Sequence, residues 1–162
     1  RKSNIYLPFA SKIEILKTKK NFVMYEENKW IKSIDIIPIT KKNQDYRKIF
    51  KLFLNCKYKW GGKTFKGIDC SAMLQIFYYF NGKYFPRDTK DQVKVKKGIL
   101  LKKNFRKGDV IFWKGHVAVC IDSINLIHAY GPEKKVIVMP IKKTIELITK
   151  TTGLKVKKIF SI

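Results

Sequence analysis

"GIDCSAMLQIFYYF", residues 67–80, sets a cysteine between Asp69 and Ser71 at the head of an otherwise apolar run. Ala72 to Phe80 is made of good core residues, so most of the segment is destined for burial. Asp69 is a natural N-cap and Asn81-Gly82 a natural stop, and together they predict one helix. Cys70 then stands in the first turn. There the free N–H groups and the helix macrodipole favour negative charge, so a thiol loses its proton more readily. Such a cysteine is either a small buried filler or a nucleophile, and the rest of the chain must decide which.

Upstream, Tyr46, Ile49, Phe50, Phe53 and Leu54 follow the i, i+3, i+4, i+7 spacing, which predicts an amphipathic helix from Gln44 to Asn55. "KYKWGGKTFKG" (57–67) is a glycine-bearing loop, with Gly61-Gly62 allowing a tight turn before the Cys70 helix. "FPRDTKDQVKV" (85–95) predicts an extended entry and a short helix capped by Asp88. Arg87 and Asp88 read as an exposed pair or as part of that cap. After the turn "RKGD" the period changes, and "VIFW", "HVAVCI", "LIHAY" and "KVIVMPI" predict four apolar strands. "KKTIELITK" predicts a helix and "LKVKKIFSI" a last strand. Helices followed by an antiparallel sheet make an α+β domain, with its helices expected on one face. Residues 4–40 hold "IYLP", "KIEIL", "FVMYE" and "WIKSIDI", short strands with Glu27-Asn28-Lys29 as a hairpin tip. They suit a small barrel or its remnant.

Composition narrows the classes. With 45% hydrophobic and 14% aromatic residues, 162 residues can bury a core, so disorder is not expected. No run of about 18 apolar residues exists, so no transmembrane helix is expected. The formal charge is +24, from 36 basic and 12 acidic residues, which suggests a polyanion binder. Yet only Arg1, Arg47, Arg87 and Arg106 are arginines, and the lysines are scattered through every segment. Bidentate phosphate recognition favours arginine, so no nucleic-acid partner is expected. Cys56, Cys70 and Cys120 are odd in number and lack CxxC spacing, which argues against a disulfide framework and a zinc site. Cys120 and Cys56 read as buried filler, and no metal or cofactor is expected.

The chain has only two histidines, His116 and His128, both inside predicted neighbouring strands. They share a face if the turn near residues 122–125 holds three or five residues, and lie on opposite faces if it holds two. A histidine brought beside Cys70 would act as a base, and backbone N–H groups at the helix start would meet a developing oxyanion.

"YKWGGKTFKGIDCSAMLQIFYYFNGKYFPRDTKDQ", "KGDVIFWKGHVAVCID" and "LIHAYG" together closely resemble the NlpC/p60 family of cell-wall cysteine peptidases, from about Tyr46 onward. The resemblance implies a papain-like α+β core in residues 41–162, preceded over 1–40 by a small, shortened SH3-like β segment. It implies Cys70 as nucleophile, His116 as general base, His128 as the third, polar member, and Tyr58 beside the catalytic centre. Where the family usually has glycine after "DCS", this chain has Ala72, which would shift helix packing slightly. The run "FPRDT…Q" is similar to enzymes of short muropeptides, which cut between γ-D-glutamate and a diamino acid and need a free N-terminal L-alanine. In those, the residues matching Asp69 and Ser71 help bind the ammonium, joined by an acid such as Glu26 or Glu27. Asp69 as a pure cap needs no ligand, so both readings stand. Trp60 and Trp113 are expected in the core or the cleft wall. A peptidoglycan-derived peptide is the expected substrate and a bacterial cytoplasm the expected setting. The rival is a catalytically silent basic module that binds nucleic acid or anionic cell-wall polymer.

Overall fold

The structure is a computed structural model and describes residues 5–100 and 102–162. Three short strands come first: β1 (Lys17–Lys19), β2 (Phe22–Glu26) and β3 (Lys29–Lys32), an antiparallel sheet in that order. Asn28, at φ 58°, turns the tip between Glu26 and Lys29. A 3₁₀ turn follows at Ser33–Asp35. "IYLP" and "KIEIL" form no strand. Their segment instead inserts Phe9 into the main core, stacked on Phe80 at 5.4 Å and edge-on to Phe53 at 5.9 Å.

Helix α1 (Tyr46–Lys51) is shorter than its apolar periodicity predicts. Residues 52–54 tighten into i→i+3 turns, and Asn55, at φ 63°, gives its N–H to the carbonyl of Val136 at 2.9 Å. That bond pulls the chain onto the sheet and ends the helix. A two-strand hairpin, β4 (Lys63–Thr64) and β5 (Gly67–Ile68), leads into α2 (Cys70–Phe80). Both predicted caps of this helix hold, whereas Asp88, ahead of the short helix at Thr89–Gln92, makes no side-chain cap bond. Asp69 has extended backbone and accepts the N–H of Ala72 at 2.9 Å. Asn81 closes the other end, its amide donating to the carbonyls of Phe77 and Asn43. Eight of the eleven α2 residues are buried, Leu74 fully. Each large apolar side chain so buried contributes about 1.5–3 kcal/mol, so packing and not propensity holds this aromatic-rich helix.

After the short α3 (Thr89–Gln92) come β6 (Asp109–Trp113), β7 (His116–Cys120), β8 (Asn125–Tyr130), β9 (Lys135–Pro140), α4 (Ile141–Thr152) and β10 (Lys158–Ser161). The five strands form one antiparallel sheet, ordered β10-β6-β7-β8-β9. The fold is α+β with a small β segment ahead of it, as the sequence predicts. The helices do not share one face, however. Val110, Phe112, Val117 and Val119 pack with α1 and α2, while Ile111, Ala118, Cys120 and Leu126 pack with Ile141 and Ile148 of α4. Strand β6 is buried at every residue. An unbroken apolar strand is the mark of a sheet covered on both sides. Among the described residues no helix is long and apolar enough to cross a membrane.

Candidate active site

Two structural units meet here, the start of α2 and one end of the β7–β8 pair. At the helix start Asp69 is saturated. Its Oδ1 accepts from the Ala72 N–H (2.9 Å), the Ser71 hydroxyl (3.1 Å) and Arg87 Nη1 (3.0 Å). Its Oδ2 accepts from the Gly61 N–H (2.8 Å) and Arg87 Nη2 (2.6 Å). Arg87 Nη1 also donates to Ser71 Oγ at 2.7 Å. The fork thus holds carboxylate and hydroxyl together, as a planar guanidinium can and an ammonium cannot. Gln92, fully buried, completes the clamp by donating to the carbonyls of Ser71 and Pro86. Gly61, at φ 75°, shapes the turn that brings its N–H to Asp69. A side chain at Gly62 would put its Cβ 2.4 Å from the Gly67 carbonyl oxygen, so only glycine fits there.

In the sheet, Val119 faces Ile127 and Cys120 faces Leu126. The Ile121 N–H bonds the Asn125 carbonyl, leaving residues 122–124 as a three-residue tip. The paired positions therefore sum to an even number, and His116 and His128 share a face. His116 Nε2 lies 2.9 Å from His128 Nδ1, and His128 Nε2 lies 3.3 Å from Met139 Sδ. The His128 ring stacks on Tyr130 at 4.6 Å. Alternation along the strands puts both imidazoles on the α4 side, whereas Cys70 arrives with α2 on the other. The paired register of β7 and β8 runs no further than Val119–Ile127 toward this end. The backbone N–H of Val117 faces the Cys70 sulfur, which holds the thiol one residue from His116. Tyr58 lies in the field of Cys70, Asp69 and Arg87, and its ring packs over Gly131, where an added Cβ would come within 3.6 Å.

The resting charge state differs from the expected thiolate. Burial pushes the Cys70 thiol up to about 11, and the Asp69 carboxylate pushes the same way. The N–H groups of Val117, Ser71 and Cys70 oppose this without winning. Burial holds His116 down to about 4, and burial with the charge of His116 holds His128 well below 6.5. The helix start lowers the cost of a thiolate, but desolvation costs more here. Both shifts favour the neutral forms of the thiol and the imidazole.

A helix-start cysteine whose sulfur faces the N–H following His116, within this sheet order, matches a known family. Residues 55–152 match the NlpC/P60 family. The chain belongs to the NlpC/P60 family. A gamma-D-glutamyl-L-lysine dipeptidyl-peptidase of Bacillus subtilis is 27% identical over 128 residues, 72% of this chain and 43% of that protein. A probable endopeptidase NlpC homolog of Haemophilus influenzae is 34% identical over 84 residues, half of this chain and 45% of that protein. The chain spans less than half the length of either relative. In fold it is similar to the crystal structure of an NlpC/P60 family protein from Bacillus cereus, with TM-score 0.69 and 24% identity, over 92% of this chain and 53% of that one.

Within this NlpC/P60 domain the structure brings Cys70, Asp69, Ser71 and Tyr58 together at the start of α2 and pairs His116 with His128 on the sheet, the two groups meeting through the Val117 N–H. Ala72 is fully buried with its N–H in the cap bond, so the alanine leaves the helix start intact. Trp113 is core, as expected, but Trp60 is 86% exposed and belongs to no core. Cys120 is buried filler, while Cys56 is half-buried with its thiol 3.1 Å from the Phe65 carbonyl. Glu26 is paired with Lys29 at 2.5 Å, and Glu27 is exposed. Among the described contacts neither reaches the start of α2. Sequence reasoning left Arg87 without chemistry, and here it is the centre of the clamp. One signal pointed to it: arginine is the exception in a lysine-rich chain, and a bidentate fork is what arginine adds. Among the described residues no cluster of three His, Cys, Asp or Glu is placed to hold a metal ion.

Proposed function

We propose that this chain is a cysteine peptidase that hydrolyses an amide bond in peptidoglycan stem peptides. One observation carries the reading: the Cys70 thiol is held by the Val117 N–H beside His116, whose Nε2 is bonded to His128 at 2.9 Å. Cys70 attacks the scissile carbonyl as its proton passes to His116, so ion-pair formation and attack are coupled steps from a neutral resting pair. The Ser71 and Cys70 N–H groups, which face the sulfur, stabilise the oxyanion with help from the Tyr58 hydroxyl. His116 then protonates the leaving amine. It next takes a proton from the water that attacks the thioester and returns it to the departing Cys70 sulfur, which restores the thiol.

The proposed bond joins γ-D-glutamate to a diamino acid, which the name of the Bacillus subtilis relative supports. Recognition of a free N-terminal amine would fall to Asp69 and Ser71. Asp69 already meets five donors, so an ammonium would bind there by displacing one of the Arg87 contacts. The test is mass-spectrometric product analysis of two peptides, L-Ala-γ-D-Glu-diaminopimelate and its N-acetylated form, with wild type and Cys70→Ala. Cleavage of the free-amine peptide alone, lost in Cys70→Ala, is the expected result. Cleavage of both removes the amine pocket and keeps the peptidase. Turnover retained by Cys70→Ala ends the proposal.

A further inference from the structure

The row of side chains does not end with the two histidines. It continues to Met139, on β9, and nothing in the chemistry so far uses that residue. The registers explain the alignment. His116 and His128 are diagonal neighbours across β7 and β8, and His128 and Met139 are diagonal neighbours across β8 and β9, where Leu126 faces Met139 and His128 faces Ile137. All three side chains therefore stand on one face of three adjacent strands. Sulfur lies 3.3 Å from His128 Nε2, on the ring side away from His116. Among the described residues the thioether is the partner of that nitrogen, and no carboxylate or carbonyl contacts it.

A thioether sulfur accepts hydrogen bonds weakly and has no proton to give. The contact is a hydrogen bond only if His128 carries its proton on Nε2. In the other neutral tautomer, the Nε2 lone pair would face the sulfur lone pairs. With Nε2 protonated, His128 Nδ1 is an acceptor, and the 2.9 Å contact requires His116 to donate from its own Nε2. His116 then keeps a bare Nδ1 lone pair. The reverse chain would leave Nδ1 protonated and unable to receive the thiol proton. A neutral His128 can serve His116 in either direction, and unlike a carboxylate it does not settle the direction itself.

We infer that Met139 is a positioning residue: its thioether sets the tautomer of His128 and thereby leaves Nδ1 of His116 free as the base. This rests on the peptidase reading for its use, but not for its test. The first measurement is long-range ¹H–¹⁵N NMR of the imidazoles at neutral pH in wild type, Met139→Leu and Met139→Gln. The chain has two histidines, so single substitution of either assigns both spin systems. Wild type is expected to show both rings protonated on Nε2. Met139→Leu, which keeps the volume and loses the acceptor, is expected to show His128 averaged between tautomers. Met139→Gln is expected to restore the single form, because its amide oxygen is an acceptor. In stem-peptide cleavage, Met139→Leu should lose up to about tenfold in kcat at unchanged KM, the size of one modest hydrogen bond. Met139→Gln should recover it. His128 protonated on Nδ1 in wild type, or an unmoved tautomer in Met139→Leu, overturns the inference. If no variant cleaves any peptide while the tautomers shift as stated, the peptidase reading fails and the positioning role stands.

Discussion

The two halves of the site are built on opposite economies. The start of α2 is over-supplied: one carboxylate meets five donors, and an arginine fork adds a sixth contact through Ser71. The sheet half is lean. It has two imidazoles and a thioether, and among the described contacts no charged side chain bonds either ring. A saturated anchor fixes position, because moving any one partner strands another. A lean row leaves its protons free to move, which a base requires. The α2 half should therefore answer mutation with lost stability, and the sheet half with lost chemistry.

The sharpest break in that division is His116→Ala. Peptide cleavage should fall by roughly 10³–10⁴-fold, as expected for removing a general base from a nucleophile–base unit. Stability at neutral pH should change by only about 1 kcal/mol, the worth of one neutral hydrogen bond. Initial rates and urea midpoints on the same preparation check both numbers. A variant that unfolds would show the lean half to be structural.

Arg87→Ala is the reciprocal test. Asp69 and Arg87 side chains are 7% and 22% exposed, so the variant leaves a buried carboxylate without its counter-ion. That loss costs about 3–5 kcal/mol, read as a large drop in urea midpoint. Arg87→Lys should recover part of the stability, since a point charge cannot bridge Asp69 and Ser71 at once. An unchanged midpoint in Arg87→Ala would show that the clamp anchors nothing.

How much of this was legible in the sequence follows from how local each feature is. The α2 helix, its Asp69 cap and its Asn81 stop depend on residues within a few positions, and all three were readable. The shared face of His116 and His128 was readable as a parity condition, and the three-residue tip at 122–124 satisfied it. The Arg87 clamp spans 18 residues and closes only when α3 folds back on α2. Met139 meets His128 only through the β8–β9 register, which no local signal specifies. The early truncation of α1 likewise depends on a distant carbonyl, that of Val136. The neutral resting pair was missed for a different reason. Helix position and histidine contact are written in the sequence, but the depth of burial that outweighs them is not. The N-terminal sheet shows the converse. Its alternation was read in part, yet Val23 is its only buried residue among those described, so periodicity there had little core to report on.

The last comparison concerns acid, and it tests whether the lean half stays neutral. Burial holds His116 near 4 when folded, against 6.5 when unfolded. Between those values the unfolded chain binds a proton that the folded chain refuses, so acid favours unfolding there. Stability should be unaffected by His116 above about 6.5 and should decline as pH falls toward about 4. Carboxylates also titrate as acid is added, so the useful quantity is the difference between wild type and His116→Ala. At neutral pH wild type should be the more stable by its one hydrogen bond. That advantage should shrink through this window and can reverse, because the variant no longer carries the His116 imidazole that resists charging. His128 is shifted in the same direction by burial and by His116, so removing His116 should also ease its own acid response. Urea midpoints taken at intervals across the window, for both proteins, decide it. A wild-type advantage that grows as pH falls would mean that the imidazole is stabilised in its charged form. The resting site would then be an ion pair with Cys70, and the contrast between a charged anchor and a neutral row would disappear.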